Sequence, residues 1–223
     1  MAELIITIDG PAAVGKSTAA RLLAENMDAA FLDTGAMYRA VTLAAMQTGV
    51  DLTDPRQLLE VIDRTDFQFT IEDGVMTAAV NGADVTDAIR DPAVTDNVRY
   101  IASAPEIRDR LVGMQRQFAE KHKTVVTEGR DQGTVAFPNA DFKFFLTAEV
   151  AERARRRQHD LAEQGREIPV EHIQNQIHKR DTSDRTRTVG PLTAADDAIM
   201  IDTTCLNAQQ TLQKMLHCIN SRT

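Results

Sequence analysis

The 223-residue sequence predicts an α/β fold: a five-stranded parallel sheet with helices on both faces, into which a small antiparallel β meander is inserted. Three observations predict it. Short apolar runs recur along the chain and alternate with stretches at helical spacing. The period switches once to strict alternation, over Phe67 to Val80. The first apolar run, Leu4-Ile5-Ile6-Thr7-Ile8, leads through Asp9 into a glycine-bracketed turn and a helix start.

That turn reads Gly10-Pro11-Ala12-Ala13-Val14-Gly15-Lys16-Ser17, and the strand before it and helix after it are the context in which G-x-x-x-x-G-K-[ST] is a phosphate-binding loop (P-loop). Gly10 and Gly15 can take backbone angles closed to other residues, so successive amides can point at phosphate oxygens. A helix starting near Lys16 adds the positive end of its dipole. Lys16 can reach the terminal phosphates of a nucleoside triphosphate, and the Ser17 hydroxyl can ligate the magnesium that bridges them. The alternative is a chance match in a glycine-containing turn; the strand and helix signals on either side argue against it.

The remaining elements follow in order. Thr18 to Asn26 carries Ala19, Ala20, Leu22 and Leu23 at helical spacing. Ala30-Phe31-Leu32 reads as a second strand ending in the polar Asp33-Thr34-Gly35, and a helix runs from Ala36 through Ala45. Leu58 to Asp63 suits a helix. Phe67, Phe69 and Ile71 then alternate with polar residues, Asp73-Gly74 signals a hairpin, and Val75 to Val80 followed by Asn81-Gly82 adds a strand and turn. Asp91-Pro92 opens a helical zone that breaks at Ala104-Pro105 and resumes through Phe118. Lys123 to Thr127, Phe142 to Leu146 and Ala198 to Asp202 are the other core strands. Helices span Glu149 to Gln164, ended by Gly165, then Val170 to Lys179, and finally Ala208 to Ile219.

Composition narrows the function classes. A net charge of −8 leaves no basic surplus for a nucleic-acid polymer or an anionic membrane. The positives are concentrated instead: Arg153 to Arg187 holds eight Arg and one Lys against six acids. A basic arm on an acidic body suits a small polyanion. The two cysteines, Cys205 and Cys218, and the five histidines form no metal or redox motif, and no apolar run is long enough to span a membrane. A cytoplasmic protein, monomeric and with reduced thiols, is the expectation.

Polar residues gather in three places where a phosphate held on the loop needs partners: Thr34, Tyr38 and Arg39; Arg130 and Asp131 after Glu128; and Arg180, Asp181, Asp184, Arg185 and Arg187, with Arg153, Arg156 and Arg157 on the preceding helix. Arg39 and Arg130 are placed to clamp an acceptor phosphate through bidentate guanidinium contacts. Each arginine of the 153–157 stretch, taken singly, reads as solvated surface charge.

Together, the loop Gly10 to Ser17, the segment Leu32-Asp33-Thr34-Gly35-Ala36-Met37-Tyr38-Arg39, the segment Glu128-Gly129-Arg130-Asp131-Gln132-Gly133-Thr134-Val135-Ala136-Phe137-Pro138, and Arg180-Asp181-x-x-Asp184-x-x-Arg187 resemble the bacterial cytidylate kinases, in order and over nearly the whole chain. The resemblance implies magnesium-dependent transfer of the ATP γ-phosphoryl group to CMP or dCMP without a covalent intermediate. It implies ATP contacts at Gly10, Pro11, Ala12, Ala13, Val14, Gly15, Lys16, Ser17 and Thr18, with Ser17 on the metal. Arg39 and Arg130 would hold the acceptor phosphate, with Tyr38 beside them. Thr34, Arg108 and Asp131 would meet the cytosine, with Arg187 near; Arg180 and Asp184 would bind the ribose; Arg157 and Arg185 would belong to a lid over ATP. Asp131 can accept from the cytosine exocyclic amine, where uracil presents a carbonyl. Two positions depart from the family's pattern: Thr34 stands for the usual Ser, and Arg99 where a small hydroxyl residue is expected.

The organisation implied is a core of 1–64, 100–152 and 189–223, an acceptor-binding insertion of 65–99 and a lid of 153–188. Glu128 either orients magnesium through water or packs beside the loop. A GTP-dependent switch would normally carry an [NT]-K-x-D motif after a core strand, and the sequence has none. A related small-molecule kinase using the same loop is the main competing reading.

Overall fold

The computed structural model describes residues 2–72, 74–163 and 165–221. Five strands form the main sheet in the order β2-β6-β1-β7-β8, where β1 is Leu4–Asp9, β2 Ala30–Asp33, β6 Thr124–Gly129, β7 Phe142–Thr147 and β8 Ile199–Asp202. The pairs β1–β7 and β7–β8 are parallel, with Ile8 opposite Phe144 and Leu146 opposite Ile201. A second, antiparallel sheet holds β3 (Phe67–Glu72), β4 (Val75–Val80) and the two-residue β5 (Ala83–Asp84). This is the expected α/β fold with its meander. The Asn81-Gly82 turn adopts positive φ at both residues, 50° and 79°, as a tight hairpin turn requires. The Asp73-Gly74 turn includes Asp73, which lies outside the described residues.

Contacts divide the chain into two compact units, Met1–Glu3 with Ala29–Val125, and Leu4–Asp28 with Val126–Thr223. The first carries β2, α2 (Thr34–Thr48), α3 (Pro55–Arg64), the meander, α4 (Pro92–Ser103) and α5 (Pro105–Glu120). Leu32, Met37, Leu58, Ile101, Ile107 and Leu111 are buried at its centre. The second carries β1, α1 (Lys16–Asn26), most of β6, β7, α6 (Val150–Glu163), α7 (Val170–Thr186), β8 and α8 (Ala208–Asn220). Its core is built on Ile6, Ile8, Leu23, Val126, Phe144, Leu146 and Met215, and α6 packs along α7 through Ala154, Leu161, Ile173 and Ile177.

Several boundaries differ from the sequence expectation for local reasons. Helix α2 begins at Thr34 rather than Ala36, because Asp33 caps it by accepting from Ala36 N at 2.9 Å. Helix α3 begins at Pro55, capped by Asp54, three residues before the apolar stripe that signals it. Helix α7 runs on to Thr186, so Arg180, Asp181, Asp184 and Arg185 are helical. No helix among the described residues is long and apolar enough to cross a membrane.

Candidate active site

In the second unit, β1 ends at Asp9 and the chain turns through Gly10 to Gly15 into α1. Gly10 lies at φ 149°, and a side chain there would strike the Leu146 carbonyl. Gly15, at φ 93°, is the N-cap of α1. Between them Ala13 also sits in the left-handed region, at φ 58°, which the sequence does not signal because alanine rarely goes there.

Lys16 is buried within this turn, and its Nζ donates to Pro11 O at 2.7 Å. Burial, then the nearby Arg130 charge, pushes its pKa down to about 7 against the pull of Glu128 and Asp9. Ser17 Oγ donates to Glu128 Oε1 at 2.8 Å, so the hydroxyl expected to meet a metal and the carboxylate at the end of β6 are direct neighbours. Thr203, after β8, closes the loop's far side by donating to Val14 O at 3.1 Å.

Asp9 plays a part the sequence did not suggest. Its two carboxylate oxygens accept from Gln132 N at 2.9 Å and Gly133 N at 2.8 Å, at the start of a short π-helical turn over Gln132–Ala136. Burial raises its pKa to about 6, although both backbone hydrogen bonds oppose the rise. The strand that launches the phosphate loop thereby anchors the segment that follows Arg130 and Asp131. The long separation between Asp9 and its partners hides this from any local motif.

Arg130 Nε donates to Asp184 Oδ2 at 2.7 Å, and Arg187 approaches Asp131 at 3.7 Å while its Nε donates to Gly190 O. The structure therefore pairs the end of β6 with the end of α7. Arg153 corrects the sequence expectation: it is 3% exposed, pairs with Asp181 at 2.7 Å and donates to Ala12 O at 3.0 Å. Arg156 is half-buried and donates to Thr203 O at 2.6 Å. Both hold backbone in place. Arg157, Arg180 and Arg185 are exposed on their helices.

In the first unit, Thr34 and Tyr38 are buried on α2, and Arg39 Nη2 meets Asp33 Oδ2 at 3.4 Å. The buried Nε of Arg39 makes no hydrogen bond among the described residues. A Cβ at Gly35 would lie 3.0 Å from Arg39 Nη1 and 3.1 Å from Asp33 Oδ1, so a side chain there would press on the ends of both groups. Arg108 is buried on α5, donates to Ala102 O at 3.2 Å, and lies with its guanidinium carbon 5.5 Å from the Tyr38 ring centroid. Arg99 is exposed and turned onto its neighbour, donating to Tyr100 Oη at 3.0 Å.

The cytidylate kinase family model matches residues 6–221. The chain belongs to this family. It is 44% identical over 221 residues to a cytidylate kinase of Bacillus subtilis (strain 168), covering 99% of this chain and 98% of that protein. It is 45% identical over 216 residues to a cytidylate kinase of Rhodopirellula baltica, covering 97% of this chain and 92% of that protein. Among solved structures, an uncharacterised protein from Eubacterium ventriosum superposes with a TM-score of 0.53 at 15% identity, covering 98% of this chain and 99% of that one. That likeness bears on the fold alone. The buried Lys16, the Ser17–Glu128 contact and the charged end of β6 all lie in the second unit.

Proposed function

We propose that the protein is a cytidylate kinase that moves the γ-phosphoryl group of ATP directly onto the phosphate of CMP or dCMP, giving ADP and the nucleoside diphosphate. An acceptor phosphate oxygen bonds to the γ-phosphorus as the bond to the bridging oxygen of ADP breaks. The acceptor attacks as an anion, so no covalent enzyme intermediate and no strong base are required. The chain's task is positioning and charge stabilisation. The observation that carries the reading is the end of β6, where one short segment presents Glu128 to the phosphate loop and then Arg130 and Asp131. Family membership over nearly the full chain supports it.

In this reading the loop residues Gly10 to Thr18 take the ATP phosphates and Lys16 pairs with the β and γ groups. Arg39 and Arg130 serve the acceptor phosphate, with Tyr38 beside Arg39. Thr34, Arg108 and Asp131 serve the base, Arg187 steadies Asp131, and Arg180 and Asp184 serve the ribose. Asp184 already accepts from Arg130, so ribose and phosphate recognition share one carboxylate. Arg157 and Arg185 supply mobile charge from the 153–188 segment, which acts as a lid, while 65–99 forms the acceptor-binding insertion.

The Ser17 hydroxyl and the Glu128 carboxylate are hard oxygen donors of the kind magnesium takes. Ser17 would ligate the ion and Glu128 would orient it, and the bound ion would neutralise charge on the transferring phosphates. A monomeric protein of the cytoplasm is the setting we infer, and the free thiols of Cys205 and Cys218 suit a reducing compartment. A coupled ADP-release assay across CMP, dCMP, UMP, AMP, GMP and shikimate tests the assignment. Preference for the cytidylates is expected; turnover with shikimate or a purine monophosphate instead would overturn it.

A further inference from the structure

Ala12, the third residue of the phosphate loop, is gripped at both polar atoms of its backbone. Its N–H donates to Asp181 Oδ1 at 3.3 Å, and its carbonyl accepts from Arg153 Nη1 at 3.0 Å. The two side chains close the ring by pairing with each other at 2.7 Å, and their side chains are only 4% and 10% exposed. Arg153 is itself fixed, because its Nε donates to Ala148 O at 3.1 Å. One member of the pair comes from α6 and the other from α7. The next loop residue, Ala13, is the one held at φ 58°, and it packs against the apolar seam of Ala154, Leu161, Ile173 and Ile177 that joins the same two helices.

A non-glycine residue in the left-handed region does not stay there unless its surroundings hold it. A buried ion pair is likewise retained only where its remaining donors and acceptors are satisfied, and here both partners bond the backbone of one residue, Ala12. We infer that Arg153 and Asp181 are positioning residues for the phosphoryl donor: together they hold the Ala12 backbone so that the loop keeps its binding shape before nucleotide arrives. They act through the loop and touch no reacting atom. Asp181 and Asp184 lie one turn apart on α7, so the helix that grips the loop also pairs with Arg130. The inference rests on the reading of Gly10 to Ser17 as the ATP loop.

The test uses the full-length protein with Arg153→Lys, Asp181→Ala and Asp181→Asn, measuring KM for ATP and for CMP, the Kd of a non-hydrolysable ATP analogue, and thermal stability. Arg153→Lys and Asp181→Ala are expected to raise KM for ATP and the analogue Kd by about tenfold or more, with KM for CMP within about twofold. Asp181→Asn keeps an oxygen for the Ala12 N–H and is expected to show the smaller rise; it also serves if the alanine variant does not fold. A pair that only stabilised the fold would lower Tm and the active fraction while leaving both KM values alone. ATP constants within about twofold of wild type in the folded variants, or equal rises in both KM values, would overturn the inference. A wild-type protein without affinity for the analogue would overturn the donor-loop reading along with it.

Discussion

Arg130 and Asp184 form an ion pair of 2.7 Å in which each side chain is only 17% exposed. Burial alone would lower the arginine and raise the aspartate. The partner's charge and hydrogen bond outweigh it, so Arg130 titrates above its ordinary range and Asp184 below the usual carboxylate range. Both groups therefore stay charged throughout the neutral range. The depressed Asp184 contributes stability that is present above its unfolded value and lost as pH falls through its lower folded one. In the proposed reading, Arg130 would meet an acceptor phosphate as a fixed cation already oriented by a carboxylate.

Replacing that cation tests its role. Arg130→Ala is expected to lower kcat/KM for CMP by about 100-fold or more, with the ATP constants nearly unchanged. Arg130→Lys keeps the charge but loses the planar fork, and should recover only part of the loss. Steady-state kinetics with each substrate varied in turn decide it, and an unchanged kcat/KM for CMP removes Arg130 from the clamp.

Asp131 is buried, with Arg187 3.7 Å away. Asp131→Ala is expected to cut the preference for CMP over UMP by about 10- to 100-fold, since one good pairing with a base edge is worth about 1–3 kcal/mol of discrimination. Competition between the two monophosphates reads this ratio directly. Equal losses on both would place base recognition elsewhere.

Lys16 offers a prediction about protons. Its pKa is held down to about 7 in the free loop, against an ordinary value of 10.5. The unfolded chain keeps this proton up to the ordinary value, so the stability of the nucleotide-free protein should rise with pH from about 7 toward 10. Polyphosphate beside the amine favours the charged form, so ATP binding at about pH 8 is expected to take up close to one proton. Calorimetry in buffers of different ionisation enthalpy measures that uptake, and it should vanish in Lys16→Ala. Equal uptake in that variant would assign the proton to another group.

Asp9, raised to about 6 by burial, gives the opposite slope. The folded protein binds this proton more tightly than the unfolded chain does, so its contribution to stability falls as pH rises from about 4 to 6 and levels off above. Asp9→Asn removes that slope. It also turns an amide N–H toward one of the two backbone donors that Asp9 now satisfies, and should cost about 1–3 kcal/mol at neutral pH. Denaturant unfolding of both proteins across this pH range checks slope and offset together.

Water exclusion by the basic arm is expected to keep ATP hydrolysis slow when no acceptor is present. Strong ADP release from ATP alone would count against closure.

Much of this was legible in the linear chain, for a physical reason. Periodicity, turn residues and the glycine–lysine spacing act over a few neighbouring residues, so the strand–loop–helix around Lys16, the alternating meander and the Ala104-Pro105 break could be placed from sequence. The helix starts at Thr34 and Pro55 were displaced only where an aspartate cap outranked the apolar pattern. Arg153 could not be told from Arg157 by sequence, because both sit in one run of arginines on one helix. Burial separates them: Arg153 is enclosed against Ala12 and Asp181, while Arg157 faces solvent.

By itself, then, the order of residues determined the α/β class, the phosphate loop, the family resemblance and the list of charged groups from which a site is drawn. Only the tertiary structure decided which of those groups are partners. Ser17 with Glu128, Asp9 with the Gln132 and Gly133 amides, and Arg130 with Asp184 are joined across 111, 123–124 and 54 positions of chain. Such pairings depend on how sheet and helices pack. Desolvation, which turns an ordinary lysine or aspartate into one that titrates near neutrality, exists only once the packing is complete.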